Sequence, residues 1–120
     1  PRDFGSAIAQ AAASLVEQTG ARALVAISQS GVSAASISAA RPEAPVIAIS
    51  NDPAVCRRMQ LMWGAIPVLS DAAGHTNPND VARGVARDIQ IGAGGDFIVL
   101  VRGFHADPAL NTPTVTLLTL

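Results

Sequence analysis

The stretch of this chain whose residue types could do chemistry is Ser28-Gln29-Ser30-Gly31-Val32-Ser33, set between the apolar run Ala23 to Ile27 and a segment of helical character. Three hydroxyls, one amide and one glycine, with no charge among them, are donors looking for an acceptor. Where a helix begins near Val32, its first backbone N–H groups have no internal partner. An oxyanion can accept those hydrogen bonds at the positive end of the helix dipole, while Ser28, Ser30 and Ser33 add hydroxyls and Gly31 permits close approach. The stretch is not a P-loop, because the Gly-Lys-Ser/Thr ending is missing, and no Gly-x-Gly-x-x-Gly dinucleotide fingerprint occurs. The plain alternative is a serine that caps the helix while the other side chains meet water, and spacing alone favours it.

No catalytic pattern accompanies the loop. Asp52, Asp71, Asp80, Asp88, Asp96 and Asp107 fall mostly at caps and turns, without a carboxylate pair or a nucleophile with its base. Cys56 stands alone, so it makes no internal disulfide, and with only His75 and His105 it makes no zinc site. It reads as a small apolar residue on a buried helix face. Arg57 and Arg58 read as a solvated or interface face, Trp63 as a packing contact and His75 as an exposed loop residue.

The elements that must hold the loop alternate along the chain. Phe4, Ile8, Ala11 and Leu15 recur at helical spacing and are closed by Thr19-Gly20. Ala23 to Ile27 has the continuous apolar character of a strand covered on both faces, and Val32 to Ala40 reads as a helix ended by Arg41-Pro42. Val46 to Ile49 is a second strand, and Asn51-Asp52-Pro53 supplies a cap and first turn for a helix reaching about Met62. Ile66 to Leu69 is a third strand. Val81, Val85 and Ile89 mark a helix stopped by Gly92-Ala93-Gly94-Gly95, Phe97 to Val101 is the most apolar strand, and Val115 to Leu120 alternates as an edge strand does. Such alternation predicts a three-layer α/β fold, a mostly parallel sheet with helices on both faces. Ligands of such sheets sit beyond the carboxyl ends of the strands, where the strand order reverses.

Composition narrows the function. Residues 1–120 form a single domain by length, and a domain of this size buries roughly two thirds of its unfolded surface. Charged residues are 14% and apolar ones 49%, against about 25% charged in an average domain, so some apolar surface is expected to face other protein. A net charge of −1 without a basic stripe argues against nucleic acid or an anionic membrane as partner. No apolar run reaches the roughly 20 residues of a membrane span and no signal-peptide pattern opens the chain, so a cytoplasmic location is expected. The start at Pro1-Arg2 reads as a processed chain or a piece of a longer one.

From Leu24 to Leu69 the chain resembles the C-terminal domain of pyruvate kinase. That family carries a Thr/Ser-x-Ser-Gly-x-Ser/Thr loop, an Arg-Pro-x-x-Pro segment and a Gly-x-x-Pro-Val/Phe segment, present here as Ser28 to Ser33, Arg41 to Pro45 and Gly64 to Val68. Downstream, Gly95-Asp96-Phe97-Ile98-Val99-Leu100 is similar to the family's Gly-Asp-x-Val-Val-Val strand, and Asn111-Thr112 to the Thr-Asn-Thr that opens its last strand. The resemblance implies five strands with the last antiparallel, and a regulatory, non-catalytic domain that meets its counterpart in a homo-oligomer. Catalysis, the transfer of phosphoryl from phosphoenolpyruvate to ADP with Mg²⁺ and K⁺, would then belong to a barrel outside this chain, and the domain itself would need no cofactor.

The resemblance further implies that Ser28, Gln29, Ser30, Gly31 and Ser33 hold a phosphate of an allosteric effector, and that a loop from Gly103 to Asn111, with Phe104 and His105, closes over it. Arg102, at the end of the fourth strand, could supply a cation. Members that bind bisphosphates commonly carry Lys in the serine loop and Trp or Arg in the closing loop. Here Gln29 and Phe104 with His105 stand instead, and charge-assisted hydrogen bonds are roughly twice as strong as neutral ones. A sugar monophosphate or AMP therefore fits better than a bisphosphate. His105 in such a lid could tie binding to pH near neutrality, although a plain surface histidine is the simpler reading. Two other readings stand beside this one: an assembly domain whose effector loop is empty, and a freestanding binder of a small phosphate ligand, flavodoxin-like in outline. Zero tyrosines and one tryptophan argue against the aromatic sandwich that a flavin needs.

Overall fold

The computed structural model describes residues 4–27, 32–62, 64–71, 77–103 and 113–120. Among these residues the order is α1 (Phe4–Thr19), β1 (Leu24–Ile27), α2 (Val32–Ala39), β2 (Val46–Ser50), α3 (Pro53–Met59), β3 (Ala65–Leu69), α4 (Pro78–Asp88), β4 (Phe97–Arg102) and β5 (Thr114–Thr119). The strands form one sheet in the order β3-β2-β1-β4-β5. The first four are parallel and β5 runs antiparallel to β4, the α/β architecture expected.

The central strands are the ones whose sequences lack alternation. Leu24 lies between Val46 on one side and Val99 on the other, and Leu24 to Ala26, Val46 to Ser50 and Ile98 to Val101 are all buried. A strand in the middle of a parallel sheet has protein on both faces, so every position must be apolar or small. Burying each of the larger side chains contributes about 1.5–3 kcal/mol relative to exposure.

Crossover handedness distributes the helices. From β1 to β3 the chain moves one way across the sheet, so right-handed connections put α2 and α3 on one face; from β3 to β4 it returns, which sends α4 to the other face. Accordingly Ala9, Ala12, Val16, Ala34, Ile37, Val55, Cys56 and Met59 from the first three helices pack on Leu24, Ala26, Val46, Ala48, Val99 and Val101. Val81, Ala82 and Ala86 of α4 pack on Val25, Ile47, Ile49, Ile98 and Leu100. Arg83 Nε donates to the Thr119 carbonyl at 3.0 Å and ties α4 to β5.

Local chemistry explains the element ends, with several shifts from the sequence reading. Gly20, at φ 68°, closes α1 as expected, and the N–H groups of Gly20 and Ala21 both donate to the Val16 carbonyl, at 3.0 and 3.3 Å. The buried stripe of α1 is Ala9-Ala12-Val16; Ile8 and Leu15 flank it half-buried and Ala11 is exposed. Small side chains let the helix approach closely along the alanine row, which rotates the larger residues to its margins. Helix α3 ends at Met59, not near Met62, because the Leu61 and Met62 N–H groups bond three residues back, to Arg58 and Met59 carbonyls. Helix α4 stops before the glycine run: Gln90, at φ 59°, donates to Arg87, and Ile91 donates to Ala86, a Schellman closure without glycine. Ile89, expected on the apolar stripe, is half in solvent at that cap.

Candidate functional site

The sheet order reverses between β1 and β4. The chain starts in the middle at β1, builds outward through β2 to β3, then returns to lay β4 on the other side of β1. Ala26 pairs with Val101, and each strand runs only one residue further, to Ile27 and Arg102. Neighbouring strands lie about 4.8 Å apart, so the segments leaving these two residues start side by side at the carboxyl end of the sheet.

The first of those segments leads into α2 at Val32. Helix α2 has no acidic residue in its first turn, so its positive end is uncompensated from within. The next helix along that end of the sheet differs. Asp52 caps α3, its carboxylate accepting from the Ala54 N–H at 2.9 Å, with Pro53 in the first turn. The buried Ser50 hydroxyl in turn accepts from the Asp52 N–H at 3.1 Å. Thus the residue that the sequence offered as cap, Asn51 or Asp52, is Asp52.

The second segment follows Arg102 and Gly103. Arg102 is the last residue of β4, exposed, and pairs with Thr114, the first residue of β5. Gly103 has φ 92°, a left-handed conformation that redirects the chain out of the strand and that a side chain would strain. The chain re-enters the described structure at Pro113, just before β5, which pairs with β4 on the side away from β1.

Of the residues singled out in the sequence, Arg102, Gly103 and the backbone of Ser33 are thereby brought to one end of the sheet. Ser28, Gln29, Ser30, Gly31, Phe104, His105 and Asn111, and the Ser33 side chain, lie outside the described residues, as do Trp63, His75 and Asp107. The strand order adds one feature that sequence reasoning missed. Of the strands beside β1, β2 leads into the Asp52 cap of α3 and β4 ends at Arg102, so the two oppositely charged residues follow strands on either side of it. No spacing in the sequence signals it, since 50 residues separate the two.

Other groups have structural partners. Cys56 is buried with its Sγ 4.0 Å from the Ser50 carbonyl, as its helix position suggested. Asp96 accepts from the Ala93 N–H at 2.9 Å, and Asp80 lies 3.8 Å from Arg83. Among the described residues no three His, Cys, Asp or Glu side chains group as a metal site, and no helix is long and apolar enough to cross a membrane. A half-open groove of about 230 Å³ between α1 and α2, lined by Ser6, Ala9, Gln10, Ser36, Ala39 and Ala40, includes no residue from the strand ends.

The chain is 35% identical over 100 residues to a pyruvate kinase of Agrobacterium vitis, covering 82% of this chain and 20% of that protein. It is 34% identical over 101 residues to the pyruvate kinase of Geobacillus stearothermophilus, covering 81% and 17%. The solved structure of Cryptosporidium parvum pyruvate kinase in complex with ADP shares the fold over 99% of this chain and 24% of its own, with a TM-score of 0.84 at 23% identity. The chain thus spans about a fifth of the length of the relatives it matches. The model of the family described as pyruvate kinase, alpha/beta domain matches residues 6–117, and with the alternating sheet and its antiparallel last strand this shows that the chain belongs to that family.

Proposed function

We propose that this domain regulates a longer pyruvate kinase by binding the phosphate of a small effector at residues 28–33, under a lid formed by residues 103–111. The observation that carries the reading is the pairing of Ala26 with Val101, which starts both segments side by side where the strand order reverses. Helix α2 starts there without an acidic residue in its first turn, a favourable end for an anion, and β4 ends in the cationic Arg102. One cation and a neighbouring carboxylate suit one phosphate better than two, so AMP or a sugar monophosphate is the ligand class. In the parent enzyme, phosphoryl transfer from phosphoenolpyruvate to ADP, with its Mg²⁺ and K⁺, would occur on the barrel, in the cytoplasm. The effector would act by binding one domain arrangement more tightly than another, since only differential affinity shifts such an equilibrium. Titration calorimetry of the domain with AMP, a hexose monophosphate and a hexose bisphosphate tests this. Saturable heat with a monophosphate is the expected result; no heat with any of the three overturns it.

A second reading, a domain for assembly alone, draws on the β5 edge. Phe97 and Leu117 are 38% and 42% exposed, large apolar side chains on the two strands nearest that edge. An intact homo-oligomer of the longer enzyme whose activity ignores every phosphorylated effector would favour it.

A further inference from the structure

We draw no further inference here: the strongest candidate, the exposed apolar side chains Leu61 (92%), Leu69 (52%) and Ile66 (37%) around the β3 edge, carries nothing, because nothing in the structure shows what covers them and a contact with the rest of a longer chain restates how this family is built.

Discussion

Arg102 ends β4 with its side chain in solvent, so its replacement disturbs no packing. Under the proposed function, Arg102→Ala weakens AMP or sugar-phosphate binding by about tenfold, the low end for a hydrogen bond to a charged group, and leaves the unfolding midpoint unchanged. Calorimetry at two salt concentrations reads this: the wild type loses affinity with salt more steeply than the variant. Asp52 gives the opposite separation of charge and structure. Asp52→Ala removes the cap of α3 and costs about 1 kcal/mol in denaturant unfolding, whereas Asp52→Asn keeps a capping oxygen and is close to neutral. Asp52→Asn also removes a negative charge from the strand end neighbouring β1, so affinity for a phosphate bound at residues 28–33 rises; unchanged affinity would place the anion away from the β2 side. Both residues were legible singly, Arg102 as a strand-end cation and Asp52 as a cap. Their placement on opposite sides of β1 was not, because charge in a sequence carries no information about strand neighbours.

At the scale of the elements, helices were legible in existence and less so in face and end. An alanine-rich helix such as α1 has a weak apolar stripe, so a choice between Ala11 and Ala12 rests on which side packs more closely, a tertiary matter. The stop of α4 depends on Gln90 accepting a left-handed conformation, which its residue type does not announce. Gln90→Gly therefore stabilises the domain by about 0.5–1 kcal/mol, the relief of the left-handed strain less the added freedom of the unfolded chain, measured as a raised denaturant midpoint. Met59, fully buried where α3 meets the sheet, predicts the reverse: Met59→Ala leaves a cavity and costs about 2–5 kcal/mol. The edge position of β3 had a signal in Pro67, which lacks a donor and pairs only with Ala48 on β2, as edge strands tolerate.

For the whole molecule, the carboxyl end of the sheet is where β1 and β4 hand over to the two candidate segments, while the edges carry exposed apolar side chains, as a charged fraction of only 14% foreshadowed. Leu117, on the outer strand β5, tests the assembly part of the proposal. Leu117→Lys leaves monomer stability within about 0.5 kcal/mol, as surface changes do, and shifts the concentration-dependent association of the protein towards smaller species in sedimentation velocity. An unaltered distribution would mean that self-association does not use this edge.

By itself the sequence determined what each segment is: continuous apolar runs made buried strands, capping residues made helix starts, and an uncharged serine loop made a candidate receptor for an anion. Those properties follow from residues within a few positions of one another. Only the tertiary structure decided that β4 returns beside β1, that α1, α2 and α3 share one face while α4 takes the other, and that Asp52 and Arg102 follow strands on either side of β1. The buried strands carry nearly interchangeable apolar patterns, so their order is set by crossover handedness and by packing across the layers, which no local stretch of chain contains.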